Sequence, residues 1–311
     1  MTKKILITGG TGFIGYHLAK KCLKLNWKVT SLSSNRPKKV RKLKKVKYLI
    51  ADISSKKKLK NKIKINFDYV VNLAGYVDHS RKLKTIKSHY NGCKNISSLF
   101  INSKIKKFIQ IGSSIEYGKI RSPHTENVIS KKKILSTYGE AKLLCTNFLL
   151  DLYKKFNFPV IILRLYLVYG PYQDPNRVIP HTILNSILGN EFDCSDGKQF
   201  RDFLYIDDLI DGIIKVLKKK KLSGEIINIG YGKPSKVKEV ILNISKIVGL
   251  GKPKFGAIRL RKDEILKLYP KNTKAKKLLN WKPKINLNLG LKKTVNYYKM
   301  NYLKFNQKIR K

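Results

Sequence analysis

Short apolar runs alternate with helix-length segments along the first half of the chain. The runs Lys4 to Thr8, Lys28 to Ser33, Lys47 to Ile50, Tyr69 to Leu73, Phe108 to Gly112 and Pro159 to Leu165 predict strands. Between them, Gly12 to Leu25, Ile86 to Ser103 and Thr137 to Phe156 predict helices, with Pro159 closing the last one just ahead of its strand. Such alternation implies βαβ units and a parallel sheet. After Gly170-Pro171 the pattern loosens. A further apolar strand, Ile226 to Ile229, ends in Gly230, and the chain from Lys236 onward reads as helices and loops. The expected fold class is α/β, a Rossmann-type doubly wound parallel sheet with a smaller, interleaved C-terminal substrate domain.

Directly behind the first strand stands Thr8-Gly9-Gly10-Thr11-Gly12-Phe13-Ile14-Gly15, ahead of an amphipathic segment. The glycines therefore fall where a strand turns into a helix. Gly9 would allow the tight turn, Gly12 would let backbone amides approach a pyrophosphate, and Gly15 would let the helix pack on the strand. The phosphates would rest on the helix N-terminus, at Phe13 and Ile14. A dinucleotide is the expected ligand, and a glycine-rich turn that binds nothing is the plainer reading. Residues 1-168 plus about 203-232 are accordingly assigned to an NAD(P)-binding domain, and 169-202 plus 233-311 to a second one.

Charge changes the picture less than its size suggests. The chain has 68 Lys+Arg against 19 Asp+Glu, a formal net charge of +49, and such an excess raises the question of nucleic acid. The lysines are spread over Lys38 to Lys47, Lys56 to Lys64, Lys131 to Lys133, Lys218 to Lys221 and Lys274 to Lys277 instead of forming one stripe with aromatics. They read as solvated faces, so no specific nucleic acid is expected. A field this positive favours anionic substrates and, at most, weak salt-sensitive membrane contact. Cys22, Cys93, Cys145 and Cys194 show neither C-x-x-C pairing nor zinc-site histidines, which suits a reducing compartment. No apolar run approaches the roughly 18 residues of a membrane span, and the early first strand leaves no room for a signal peptide. A cytoplasmic location is expected.

The second strand ends in Ser31-Leu32-Ser33-Ser34-Asn35-Arg36, where a carboxylate would grip the ribose 2′-hydroxyl of NAD about 20 residues beyond the glycines. No acid is present. Ser33 and Arg36 suit a 2′-phosphate, because a guanidinium pairs with phosphate bidentately and a hydroxyl donates a further bond. NADP(H) is therefore favoured over NAD(H), with Arg36 as one more solvated cation the alternative. After the third strand, Asp52 would accept from the adenine amino group and Ile53 would cover the ring, or Asp52 simply forms a turn.

Ser113 and Ser114 follow the fifth strand, and Tyr138-Gly139-Glu140-Ala141-Lys142 places a phenol and an ammonium at i and i+4 on one helix face. Lys142 beside Tyr138, with the positive nicotinamide of an oxidised cofactor, favours the phenolate. Tyr138 can then exchange a proton with the substrate oxygen while Ser113 holds that oxygen and the cofactor moves the hydride.

With these motifs the chain resembles, almost end to end, the extended short-chain dehydrogenase/reductase family of nucleotide-sugar epimerases, dehydratases and reductases. The matching segments are Thr8 to Gly15, Asn72-Leu73-Ala74-Gly75, Asn91, Gly112 to Gly118, Tyr138 to Lys142, Arg164 to Pro171, Arg201-Asp202-Phe203 with Asp207-Asp208, and Leu279 to Pro283. The resemblance implies that Leu73, Ala74 and Gly75 lie under the cofactor and that residues 169-202 plus 233-311 clasp a sugar nucleotide. It also implies a homodimer made through two helices per subunit. Arg201 and Arg261 resemble the cations that meet the substrate's diphosphate or ribose, each with a plain surface-charge alternative.

Departures from the family discriminate among its reactions. The 4,6-dehydratases carry an Asp-Glu pair where this chain has Ser114 and Ile115, which disfavours dehydration. The fucose synthase branch uses a Cys and a His where Ile115 and Arg177 stand, and neither residue shuttles a carbon acid's proton. The 4-epimerases usually carry an Asn where this chain has Leu167. Ser114 and Arg177 are left as substrate contacts. The remaining groups can carry out one hydride transfer at a ring carbonyl, and the expected activity is NAD(P)-dependent 4-keto reduction of a deoxy-sugar nucleotide with Tyr138 as acid. Two alternatives are an NAD-dependent nucleotide-sugar 4-epimerase and a non-catalytic cofactor-binding or RNA-associated protein. No metal is expected.

Other residues carry less. His17 reads as lying on the solvent side of the first helix, His89 within a later helix and His124 in a loop, all structural or solvated. His79 and His181 stand nearer the expected nicotinamide and sugar, with structural roles still favoured. Trp27 and Trp281 are explained by packing.

Overall fold

Seven parallel strands form the centre of the fold: β1 (Lys4–Thr8), β2 (Lys28–Ser33), β3 (Val46–Ile50), β4 (Tyr69–Asn72), β5 (Lys107–Ser113), β6 (Val160–Leu165) and, after three strands that lie elsewhere, β10 (Ile226–Ile229). Their order is β10-β6-β5-β4-β1-β2-β3, and every pairing is parallel. The computed structural model describes residues 2–76, 81–127, 134–260 and 264–302.

The strands are apolar on both sides because both sides are covered. Ile5, Ile7, Ile161 and Leu163 face one apolar cluster, while Leu6, Val160 and Ile162 face the other, the alternation a pleated strand imposes. The first cluster is completed by α1 (Phe13–Lys24) and α7 (Ile206–Lys218), the second by α2 (Lys56–Lys62), α4 (Gly92–Ser98) and α5 (Thr137–Phe156). The last of these starts at Ser136, whose hydroxyl accepts from Gly139 N at 3.2 Å, and stops at Asn157 in the left-handed conformation, φ 51°.

The strands β7 (Leu167–Tyr169), β9 (Phe200–Tyr205), β11 (Pro234–Lys236) and β13 (Lys267–Leu268) form a second sheet around β9, and β8 (Glu191–Cys194) pairs with β12 (Lys252–Phe255). Around them lie α6 (Val178–Ile187), α8 (Val237–Val248), α9 (Thr273–Leu279) and α10 (Leu287–Met300). The first apolar cluster continues through Ile183, Ile241, Leu291 and Tyr298 of these helices.

Two expectations are corrected. The helix read over Ile86 to Ser103 is α3 (Lys82–Ile86), a single wide π-type turn (Lys87–Asn91) and then α4, ending at Ser98. Within the lysine-rich run after β2, Arg41 is buried, pairing with Asp174 at 3.1 Å and donating through Nε to Tyr172 O at 2.9 Å. Lys131 to Lys133 lie outside the described residues. No helix among the described residues is long and apolar enough to cross a membrane.

Candidate active site

The turn after β1 is shaped by close backbone approaches. Gly9 has φ +68°, and a Cβ on it would stand 2.9 Å from the Leu73 carbonyl carbon and 3.0 Å from Ala74 N. A Cβ on Gly15 would stand 2.4 Å from the Gly9 oxygen, so α1 packs on this turn only through a hydrogen. Gly12 caps α1 without a side-chain acceptor, and the first turn carries no acid. The amides of Phe13, Ile14 and Gly15 thus open a helix with no intrahelical acceptor of their own. These free donors, the positive helix end and the missing side chains fit a diphosphate. The buried Ser31 hydroxyl, which has no hydrogen-bond partner, lies beside the same turn, 2.4 Å from where a Gly10 Cβ would be.

At the far end of this cradle, Ser33 Oγ accepts from Thr11 N at 3.2 Å and Arg36 is exposed. Asp52 is also exposed, and its Oδ1 accepts from Ser54 N at 2.8 Å, the turn-forming arrangement. Ile53 is buried, with its Cδ1 2.4 Å from where a Cβ on Gly92 would be, and Asn95 Nδ2 donates to its carbonyl at 3.0 Å.

Ser113 ends β5 and caps the short turn Ser114–Tyr117 that α5 rests against. Its Oγ accepts from Ile115 N at 3.4 Å, and its own amide donates to Glu116 Oε1 at 2.7 Å. A Cβ on Gly139, the residue after Tyr138, would lie 3.3 Å from Ile115 O. The turn bearing Ser113 and the first turn of α5 are therefore in contact. Lys142 is buried, its Nζ donates to Ile111 O at 2.7 Å, and it stands 5.8 Å from the Tyr138 ring centroid. The His89 ring meets Tyr138 edge-on, centroids 5.1 Å apart. A half-buried phenol and a fixed ammonium thus stand on the first turns of α5, which lie against the turn that follows Ser113 at the end of β5.

The remaining sequence assignments fare unevenly. Ser114 is buried, whereas Arg177, just ahead of α6, is exposed, as is Leu167. Arg201 is buried and ion-paired with Glu264, and its Nη1 donates to Phe200 O at 2.9 Å; burial lowers its pKa, opposed by Glu264. Arg261 and His79 lie outside the described residues. His17 is not on a solvent face, a correction: residues after Gly170 fold over α1, and His17 Nε2 lies 2.9 Å from Pro171 O, with burial lowering its pKa. His124 is buried between Tyr166 and the Ile120 carbonyl, and His181 is exposed. Asn91 is exposed, and His89 faces the site instead.

Sequence reasoning missed the charges beneath Ser113. Glu116 is fully buried, pairs with Arg164 Nε at 3.0 Å and accepts from Thr146 Oγ1 at 2.7 Å. A signal existed: Glu three residues after a Ser is the capping-box spacing.

A sequence profile described as the NAD dependent epimerase/dehydratase family matches residues 5–230. A UDP-N-acetyl-alpha-D-glucosaminuronate decarboxylase of Bacillus cytotoxicus is 28% identical, over 96% of this chain and 98% of its own. A UDP-glucose 4-epimerase of Thermotoga maritima, solved with UDP-glucose, superposes with a TM-score of 0.88 at 26% identity, covering 96% of this chain and 99% of that one. A UDP-glucuronic acid 4-epimerase from Bacillus cereus, in complex with UDP-glucuronic acid and NAD, gives 0.86 at 28% identity, covering 96% and 100%.

Proposed function

The chain belongs to the NAD dependent epimerase/dehydratase family, and from that premise we propose that it reduces the 4-keto group of a deoxy-sugar nucleotide, with Tyr138 as proton donor and NADP(H) as hydride source. The observation that carries the reading is what surrounds Tyr138. Ser114 and Ile115 follow Ser113, and Glu116, the carboxylate nearest Ser113 in sequence, is consumed by Arg164, Thr146 and the Ser113 amide. A base for removing a carbon-bound proton is therefore not supplied from this turn, whereas protonation of a single oxygen by a phenol is.

When bound, the nicotinamide supplies or accepts a hydride. The chain's own residues do the rest. Gly9, Gly12 and Gly15 would let the α1 amides of Phe13 and Ile14 hold the diphosphate, and Leu73, Ala74 and Gly75 would line the cofactor site. Ser33 and Arg36 would take a 2′-phosphate, and Asp52 and Ile53 would meet the adenine. Ser113 holds the sugar oxygen that Tyr138 protonates, and Lys142 keeps its charge within reach of that phenol. Ser114, Arg177, Arg201 and Arg261 contact the substrate; for Arg201 this requires exchange from Glu264. Residues 1-168 plus 203-232 form the cofactor part, and 169-202 plus 233-311 the sugar-nucleotide part. A homodimer through two helices per subunit completes the assignment.

The likeness to UDP-sugar 4-epimerases favours a second reading, 4-epimerisation with retained NAD. Incubation with 4-keto-6-deoxy and UDP-, GDP-, CDP- and dTDP-sugars, following absorbance of reduced cofactor, tests both. Stoichiometric loss of NADPH with a keto-sugar supports reduction. Interconversion of sugars without net cofactor change overturns it in favour of epimerisation.

A further inference from the structure

Gly75 and His89 share one space. A methyl on Gly75 would stand 1.8 Å from Cε1 and 2.2 Å from Nδ1 of His89, so the imidazole fits only because residue 75 has no side chain. The wide turn Lys87–Asn91 brings it there by inserting an extra residue into the helical register, leaving His89 buried and Asn91 exposed. Its Nε2 lies 3.1 Å from Tyr76 O, and because a carbonyl only accepts, this nitrogen carries the proton. The ring also meets Tyr138, centroids 5.1 Å apart and planes at 68°. The His89 carbonyl accepts from Cys145 Sγ at 3.4 Å, which fastens residue 89 to α5 two turns along from Tyr138.

We propose that His89 is a positioning residue for Tyr138: its imidazole, slotted over Gly75 and tethered to the Tyr76 carbonyl, fixes the plane of the phenol that faces the substrate. The inference rests on Tyr138 being the proton donor. The torsion that turns a tyrosine ring is broad; it leaves the hydroxyl oxygen on its axis but turns the ring plane and with it the in-plane direction of the O–H bond, so presenting that bond at one angle needs a neighbour against the ring. Lys142 is held to Ile111 O, 5.8 Å from the ring centroid, and supplies charge there, whereas His89 supplies contact.

The test uses His89→Ala, Gly75→Ala and the double variant in the full chain. It reads kcat, KM and the 13Cζ resonance of Tyr138 in 13C-tyrosine protein, identified by its absence in Tyr138→Phe. His89→Ala is expected to lower kcat roughly ten- to a hundredfold while KM stays within about twofold, and to shift the resonance. Gly75→Ala, read on the resonance of the cofactor-free protein because Gly75 also belongs to the cofactor site, shifts it in the same way by expelling the ring, and the double variant shifts it no further than His89→Ala because nothing remains to expel. If the alanine variant fails to fold, His89→Phe, which restores a ring, keeps the wild-type resonance and His89→Gln does not. An unmoved resonance in His89→Ala, additive shifts of it in the double variant, or equal behaviour of Phe and Gln overturns the proposal. Full turnover by Tyr138→Phe instead overturns the proton-donor assignment, and the resonance, which needs no substrate, still decides whether His89 orients the ring.

Discussion

Glu116 Oε2 lies 3.0 Å from Arg164 Nε, with both side chains sealed from solvent. The same carboxylate receives Thr146 Oγ1 and, through its other oxygen, the Ser113 amide. One side chain thus joins the end of β5, the helix carrying Tyr138 and the neighbouring strand β6. Burial works against the Arg164 charge, yet Glu116 and Tyr117 outweigh it and hold its pKa above the ordinary value. The pair holds the Ser113 turn against α5, and so connects the stability of the fold to the geometry of the site.

Glu116→Ala leaves a guanidinium buried without its partner and is expected to cost about 3–5 kcal/mol in denaturant unfolding. Adding Arg164→Met should return much of that loss, since replacing both members of a buried pair with apolar groups is often close to neutral. Equal stability of the single and double variants would contradict this account.

Gly15→Ala places a methyl 2.4 Å from Gly9 O. Backbone atoms cannot swing aside as a flexible side chain does, so the turn must shift, at about 1–3 kcal/mol for overpacking. Fluorescence titration should show NAD(P)H affinity reduced by more than about tenfold, because the α1 amides no longer converge on the diphosphate.

Arg36→Ala separates the two readings of the residue after β2. If Arg36 holds a 2′-phosphate, NADPH binding weakens by about tenfold or more while NADH binding is unchanged, the loss of one charge-assisted pair. Equal effects on both cofactors would make Arg36 a solvated cation.

Asp202 supplies a pH prediction. Burial pushes its carboxyl up to about 7 from an ordinary 3.8, against the opposing donors Tyr231 N and Gly232 N. Between those values the folded chain holds the proton more tightly than the unfolded chain, so this group's contribution to stability falls as pH rises through that window. Asp202→Asn cannot ionise. Unfolding free energies measured from pH 4 to 8 should therefore move against the wild type relative to the variant, by at most about 1.4 kcal/mol per pH unit. Parallel curves would refute it.

The local geometry of the candidate site was legible where its residues belong to one element. Tyr138 and Lys142 share a helix face through a spacing of four, and Gly9 to Gly15 mark a strand-to-helix turn wherever they occur in that context. Glu116 was passed over although its spacing from Ser113 was visible, because a capping carboxylate reveals only its local bond and not the arginine 48 positions on.

The order of apolar runs and their punctuation were enough to specify a parallel α/β sheet, since a strand covered on both faces reads as a nearly continuous apolar run, and hydrogen bonds to near neighbours obey local rules. The stacking of layers decided what local rules cannot reach. It brought Glu264 to Arg201, Pro171 to His17, and an imidazole into the space a glycine left beside Tyr138. Those meetings depend on a wide turn that swaps Asn91 for His89 and on chain returns of many residues, whose contacts are chosen by packing in three dimensions and leave no periodicity along the chain.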